Sequence, residues 1–331
     1  MAQVASEPIA GPGLAPEGAP GEPSAQVVGR SPWELFWRRF RRDKFAIAGI
    51  VFLVVMISLA LGAPLIAKLA GHGPNQVFLR EITDEVGLPK GPNGEFWFGG
   101  DRAGRDLFVR VVYGARTSIS VALIATGISL FIGVTLGVAA GYYRGKIDTV
   151  ISRVIDIVLS LPVLLLALGL VAACGLGREG CLGGLIRPGL LLVSYVIGLF
   201  SWPYIARIVR GQVFSLRERE FIEAARSLGS GDIRIMRREI LPNVVAPIIV
   251  YATLIIPNNI LFEAALSFLG IGVPPTTPSW GRMLSDATIN QTYTVAAWMM
   301  IFPGLFLFMT TLAFNLVGDG LRDALDPRTA R

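Results

Sequence analysis

Histidine, which much hydrolytic and metal chemistry needs, is scarce in this sequence. His72 is its only histidine. A Ser/His/Asp triad or a histidine-containing zinc site would therefore have to form around a single residue. The sequence predicts no catalytic residue, no metal ligand and no bound cofactor.

Two glycine-containing stretches match nucleotide-binding motifs only in part. GLGREG at residues 175–180 has the GxGxxG spacing, but it lies between two apolar stretches rather than between a strand and a helix. The Gly-Lys pair at 145–146 has Ala140 and Ile147 where a P-loop needs glycine and a hydroxyl residue. Any ATP that drives this protein is therefore expected to bind another polypeptide.

A second set of candidates is polar and lies within apolar stretches, where a charge costs about 2.5–3.5 kcal/mol at mid-membrane. Asp156 follows Arg153 on the same helix face, so the two can form a structural pair, Arg153 can reach the interface, or both can belong to a translocation path. Asn258, Asn259 and Glu263 either line a water-filled translocation path or hydrogen-bond to a neighbouring helix. The sequence leaves these alternatives open.

Two cysteines, Cys174 and Cys181, flank a short loop. The spacing allows a disulfide, which an oxidising exterior would permit. The alternative is two unpaired thiols at a membrane interface.

Long apolar stretches must position these residues. The chain is 53% hydrophobic and 16% charged, whereas soluble domains have about 25% charged residues. Apolar stretches of about 18 residues or more are typical of membrane spans, because helices of that length cross roughly 30 Å of hydrocarbon. The sequence predicts an all-α polytopic membrane protein with six transmembrane helices, at residues 45–67, 118–140, 149–173, 190–209, 244–269 and 295–317.

The distribution of basic residues predicts the orientation. The side that includes both termini carries 19 of the 30 Lys and Arg residues, and the other side carries 10. Because basic loops stay inside, both termini are expected in the cytoplasm. The net charge of +6 is accordingly attributed to topology, and no nucleic-acid partner is expected.

The region before the first span divides into two parts. Residues 1–30 are rich in Pro, Gly, Ala and Ser and are predicted to be a disordered cytoplasmic tail. Residues 31–44 are predicted to form an interfacial amphipathic helix capped by Ser31. Its aromatic face and surrounding arginines favour anionic membrane lipid. These residues are Trp33, Phe36, Trp37, Phe40, Arg38, Arg39, Arg41 and Arg42.

A charged stretch lies between the fourth and fifth spans. Apolar residues at 221, 222, 225 and 228 recur at helical spacing, and Gly229 and Gly231 interrupt the helix. Asp232 can cap a second short helix, and Pro242 is expected to stop it before the next span. The sequence predicts a helical hairpin, which is either a docking knob or a solvated loop.

The hairpin sequence resembles a known motif. EAARSLG, followed by Leu-Pro, is similar to the EAA loop of permease subunits of ATP-binding-cassette (ABC) importers. The resemblance implies that a coupling loop at 212–243 docks on an ATPase subunit. Glu239 stands where the general pattern has isoleucine. The residues matched to the motif are Glu223, Ala224, Ala225, Gly229, Leu241 and Pro242.

Three further segments narrow the resemblance to the C-type permease subunit of dipeptide/oligopeptide (peptide/nickel) importers. They are GGDRAGRDLFVRVVYGARTS, ILFEAALSFLGIGVPPTTPSWGRML and AFNLVGDGLRDALDPR. The resemblance implies a type I ABC importer permease fold, with a transmembrane domain at 45–317 and a cytoplasmic tail at 318–331.

The same resemblance implies a set of partners and a non-catalytic role. The partners are a second permease, two ATPases that carry ATP and Mg, an extracytoplasmic substrate-binding protein, and a di- or oligopeptide substrate. Two alternatives are an importer of nickel or another small solute and, in a different class, an ion-coupled secondary transporter.

Overall fold

The computed structural model describes residues 32–176 and 189–325, and these ranges are almost entirely helical. The helices are α1 (Pro32–Phe40), α2 (Lys44–Ala70), α3 (Leu79–Ile82), α4 (Leu107–Tyr143), α5 (Gly145–Ser160), α6 (Val163–Leu176), α7 (Leu190–Leu216), α8 (Glu220–Ser227), α9 (Asp232–Ile235), α10 (Leu241–Phe268), α11 (Trp280–Thr288) and α12 (Trp298–Leu325). A π segment (Met236–Ile240) joins α9 to α10, and a 3-10 segment (Ile289–Thr294) follows α11. Within the described ranges, extended pairing is limited to isolated bridges.

Five helical units are long and apolar enough to cross a membrane: α2, α4, α7, the continuous unit Asp232–Phe268, and α12. The predicted third span differs, because α5 and α6 meet at an angle of 86°. The break falls at Leu161, whose backbone is extended (φ −88°, ψ 147°). The following residue, Pro162, disfavours helical backbone at Leu161, so the span predicted over 149–173 consists of two helices with a sharp bend between them.

Helices α4 and α7 approach each other at backbone distance. A row of small residues on α4 faces carbonyl oxygens of α7, and the row consists of Gly133, Gly137 and Gly141. A Cβ added at Gly137 would lie only 2.7 Å from the carbonyl oxygen of Ala206. Small residues at such spacing let membrane helices approach closely, and this pair forms the centre of the bundle.

The two ends of the bundle are built differently. The hairpin end carries residues 217–240, and the loop end carries residues 71–106 and 270–297. At the loop end, Trp280 of α11 is fully buried, and its indole N–H donates to the carbonyl of Val111 at 3.1 Å. His72 shares a 2.8 Å hydrogen bond with Asp106, the N-cap of α4. The single histidine therefore contributes to packing of the loop on α4.

A buried charged cluster reinforces the loop end. Arg110 is fully buried, and its guanidinium lies 3.3 Å from the carboxylate of Asp101. Arg105 pairs with Asp101 at 2.7 Å and lies 3.5 Å from Asp286, and Arg282 also lies 3.5 Å from Asp286. These pairs join the loop before α4 to α11, because each element contributes charges of both signs.

Helix α1 packs on the end of α12 rather than lying with its whole aromatic face on lipid. Phe36 and Phe40 are buried with Ala46 and Ala324, so their predicted lipid contact is wrong. Trp37 remains 49% exposed. The packing is possible because α12 continues to Leu325, past the domain end predicted at residue 317. The tail predicted at 1–30 and residues 326–331 lie outside the described residues.

Candidate functional site

The predicted hairpin is present at the ends of α7 and α10. α8 ends before Gly229, whose φ of +78° is a left-handed conformation that suits glycine, and α9 begins after Gly231. Helix α7 runs to Leu216 and α10 begins at Leu241, so the hairpin proper spans 217–240, less than the predicted 212–243.

Pro242 does not stop the helix as predicted. It lies in the first turn of α10, and the helical unit runs without a break from Asp232 to Phe268. The π segment immediately before it closes wider turns, with the N–H of Leu241 donating to the carbonyl of Met236. A proline in the first turn of a helix is tolerated, so the hairpin is joined rigidly to α10.

Apolar side chains divide the hairpin into a base and a tip. Ile222, Ile235 and Ile240 are fully buried at the base, where they pack against α7 and α10. Leu228 and Ile233 are 86% and 66% exposed at the tip. Large exposed apolar side chains on an ordered projection are typical of a protein contact, so the geometry favours the docking knob over the solvated loop.

The structure places some of the predicted coupling residues near the tip of the hairpin and the others at its junction with α10. Glu223, Ala224 and Gly229 are exposed near the tip, and Ala225 is half-buried. Leu241 and Pro242 form the junction with α10 and are therefore separated from the tip. Contact of these residues with an ATPase stays a prediction.

Sequence reasoning missed Tyr142, at the end of α4. Its hydroxyl donates to the carboxylate of Asp232 at 2.7 Å. Asp232 was expected to cap α9, but Gly231 occupies the N-cap position. The two residues are 90 positions apart, so no local pattern in the sequence indicated the contact.

Two of the intramembrane polar residues make interhelical hydrogen bonds. Glu263 is fully buried on α10 and accepts bonds of 2.7 Å from the hydroxyls of Ser118 and Ser267. Asn259 donates to the hydroxyl of Thr126 at 2.9 Å and accepts from Ser201 at 3.0 Å. For these two residues the structure favours helix–helix contact, the second of the two alternatives.

Asn258 lies differently, because it is exposed on the wall of a cavity of about 660 Å³. The cavity lies between α6, α7 and α10 and opens to the surface. Its wall is largely apolar, with a few polar groups that include Ser201, Tyr204, Tyr251 and Asn258. Asn259 also reaches this wall. An apolar cavity with a few hydroxyl and amide groups is typical of a site for a small organic molecule.

Arg153 and Asp156 do not pair as expected. The carboxylate of Asp156 lies 2.9 Å from the guanidinium of Arg207 on α7, and both side chains are more than half exposed. Nearby, Arg210 of α7 pairs with Asp148 of α5. Helix α5 lies beside α7, and the arginines of α7 therefore pair with both carboxylates of α5.

The predicted disulfide falls only partly within the described residues. Cys174 is buried near the end of α6 and is disulfide-bonded. Cys181 lies outside the described residues, so the pairing between the two stays a prediction.

These features define a class of protein. The described residues contain a bundle of membrane-spanning helices, an open intramembrane cavity and a rigid projecting hairpin. The same residues contain no group of three or more His, Cys, Asp or Glu that could hold a metal ion. The described residues therefore have the architecture of a multi-pass membrane protein.

Comparison with known proteins gives the family. The family model described as "Binding-protein-dependent transport system inner membrane component" matches residues 133–331. A second model, "N-terminal TM domain of oligopeptide transport permease C", matches residues 31–83. The chain belongs to this family of transport permeases.

Relatives agree over nearly the whole chain. The chain is 41% identical to the dipeptide transport system permease protein DppC of Alkalihalophilus pseudofirmus, over 96% of this chain and 97% of that protein. It is also 41% identical to the glutathione transport system permease protein GsiD of Escherichia coli O6:K15:H31, over 90% and 91% of the two chains. The GsiD of Pectobacterium atrosepticum is 39% identical over 90% and 92%.

The fold is shared with solved importer structures. A chain of the MetNI methionine ABC transporter in an inward-facing conformation aligns with a TM-score of 0.53 at 19% identity. The alignment covers 66% of this chain and 98% of that one. The predicted type I ABC importer permease fold is therefore confirmed. The chain is a non-catalytic permease subunit of a bacterial-type ABC importer, and family membership implies a second permease and ATPase partners.

Proposed function

We propose that this permease imports di- or oligopeptides and that its hairpin receives the movement of separate ATPase subunits. The single observation that carries the coupling role is the hairpin itself, whose buried isoleucine base joins two membrane helices and whose tip exposes Leu228 and Ile233. This chain would bind neither ATP nor Mg, which belong to two partner ATPases. A second, non-identical permease would complete the path.

The orientation follows from the same hairpin. ATPases that use cytoplasmic ATP must meet the hairpin in the cytoplasm, so the hairpin end faces inward. The excess of Lys and Arg on that side supports this orientation. Both termini are then cytoplasmic, and the loop end would meet an extracytoplasmic substrate-binding protein.

The cavity and the relatives support a peptide substrate. The names of the two kinds of relative refer to dipeptide and to glutathione, and both are small peptides. The hydroxyl groups of Tyr204 and Tyr251 and the amide of Asn258 can bond peptide groups, while the apolar wall suits varied side chains. Since none of the described residues that line the wall is charged, selectivity would reside mainly in the binding protein.

Two alternatives receive less support from the described residues. A nickel path would use histidine, cysteine or carboxylate ligands, and none of the residues that line the cavity has such a side chain. A secondary transporter would use an ionisable group for ion coupling, but Glu263 is fully buried and bonded to serines, and the exposed carboxylate of Asp156 is already paired with Arg207.

The test is reconstitution of this chain with its second permease, ATPases and binding protein in proteoliposomes. We expect uptake of a radiolabelled dipeptide that requires ATP and the binding protein. Glu223→Lys should lower ATP-dependent uptake at least tenfold while the chain still inserts into the membrane. Glu220→Lys is the matched control, because both glutamates lie in the first turn of α8 and share its dipole effect. Uptake without ATPases, or equal uptake by the two variants, would refute the proposal.

A further inference from the structure

The end of α4 contacts the hairpin through one buried aromatic residue. Tyr142 is 3% exposed and lies in the cluster formed by the base of the hairpin. Besides its 2.7 Å bond to Asp232 of α9, its ring lies 5.3 Å from the guanidinium of Arg226 in α8. The guanidinium of Arg217, in the segment after α7, lies 5.8 Å from the same ring. Side chains from three parts of the hairpin thus converge on one residue of α4.

A second contact runs beside the first. Arg144 lies 2.5 Å from the carboxylate of Glu218 and stacks over the ring of Phe214 at 4.0 Å. Glu218 is two-thirds exposed, and exposed ion pairs contribute little because solvent screens them. The buried phenol of Tyr142 is therefore the stronger of the two contacts, since hydrogen bonds to a carboxylate are among the stronger ones in proteins.

The covalent connections of the hairpin lead only to α7 and α10. Helix α4 is neither of these, and it joins the hairpin through the bond of Tyr142 and the apolar packing of Val138 in the same cluster, beside the contact of Arg144, which directly follows α4. We propose that Tyr142 is a positioning residue of the coupling machinery, which holds the hairpin against α4. A movement of the hairpin then carries α4 together with α7 and α10. This inference rests on the proposed function, because it assigns a path to the movement that ATPases would impose.

The test compares Tyr142→Phe with Tyr143→Phe in the reconstituted complex. Tyr142→Phe removes the hydroxyl and keeps the ring against Arg226, and Tyr143 is the adjacent tyrosine, 40% exposed. We expect the complex that carries Tyr142→Phe to hydrolyse ATP at a rate near that of the wild-type complex. It should consume at least threefold more ATP for each peptide imported. Tyr143→Phe should keep the wild-type ratio. A residue needed only for folding would lower the amount of complex without changing this ratio.

Hydrogen exchange gives an independent readout on the same samples. Loss of the bond to Asp232 should speed amide exchange in residues 220–235 roughly tenfold, because local opening becomes easier. Tyr143→Phe should leave exchange in this segment unchanged.

Substitutions of the partner residue complete the test. Asp232→Asn keeps an oxygen that accepts from the phenol and should retain the wild-type ratio of ATP to peptide. Asp232→Ala should raise the ratio of ATP to peptide as much as Tyr142→Phe does. The double variant should raise this ratio no further, because both substitutions remove the same hydrogen bond.

The outcomes separate the two proposals. If the wild-type complex imports peptide with ATP but Tyr142→Phe keeps both the wild-type ratio and the wild-type exchange, the positioning role is overturned and the importer stands. If the wild-type chain recruits no ATPase or imports no peptide, the proposed function fails and the positioning role fails with it.

Discussion

The close approach of α4 and α7 makes a quantitative prediction at Gly137. In Gly137→Ala, the new Cβ would lie 2.7 Å from the carbonyl oxygen of Ala206, whereas ordinary contact begins at 3.4 Å. The helices would have to separate by about 0.7 Å or distort, and overpacking of this kind costs about 1–3 kcal/mol. Val209 prevents an easy sideways shift, because its Cβ would lie 2.9 Å from the added atom.

The same helix offers a matched control at Gly127, where an added Cβ would meet nothing within 4 Å. Both substitutions replace glycine by alanine within α4, so both gain the same helix propensity of about 1 kcal/mol. The difference in stability between the two variants therefore isolates the steric cost. We expect Gly137→Ala to be less stable than Gly127→Ala by about 1–3 kcal/mol.

The assay is thermal unfolding of the purified chain in one detergent, followed by a probe of tertiary structure. The variant Gly137→Ala should melt at least about 2 °C below Gly127→Ala. Equal melting temperatures would refute the reasoning, because they would mean that α4 and α7 are not in backbone contact at this position.

Three further predictions concern the polar groups. Glu263→Gln should accept from one serine, donate its amide N–H to the hydroxyl oxygen of the other and unfold like the wild type, whereas Glu263→Ala leaves buried hydroxyls unpaired and should cost about 2–4 kcal/mol in detergent unfolding. Asp101→Ala should cost about 3–5 kcal/mol in the same assay, because it leaves the buried charge of Arg110 without its nearest carboxylate; stability like that of the wild type would contradict this. Burial raises the pKa of Asp286 above the ordinary value of 3.8, against the opposing effect of nearby arginines. The protonated form of Asp286 is therefore favoured by folding, and this contribution to stability is present below pH 3.8 and is lost as the pH rises through the raised pKa. Over that pH range, the wild type should lose stability relative to Asp286→Asn, as measured by unfolding at a series of pH values.

The sequence predicted the elements of this fold better than their contacts. Long apolar stretches identify membrane helices without knowledge of tertiary structure, and paired glycines between amphipathic segments locate the hairpin at 220–240. Pro162 favours a kink after α5, but the angle of 86° could not be predicted, because proline is also common in unbroken membrane helices.

Long-range partners could not be predicted from spacing alone. Asp156 has Arg153 three residues away in sequence, yet it pairs with Arg207, 51 positions along the chain. Glu263 is bonded to Ser118, 145 positions away, and this bond favours helix–helix contact for a residue for which the sequence left two alternatives. Such pairs depend on helix packing, and one sequence without its fold does not encode them in any local pattern.

The helical unit from Asp232 to Phe268, which contains Pro247 and Pro257, connects the hairpin to the loop end of the bundle. Its 37 residues give a length of about 55 Å at 1.5 Å per residue, enough to reach from the hairpin to the opposite face of the membrane. A tilt of about 5° around its midpoint would displace each end by roughly 2.4 Å, in opposite directions. Near the far end, Ala264 lies very close to Gly281 of α11. A Cβ added at Gly281 would lie 2.3 Å from the carbonyl oxygen of Ala264. A movement of the hairpin would therefore reach α11 at the loop end of the bundle.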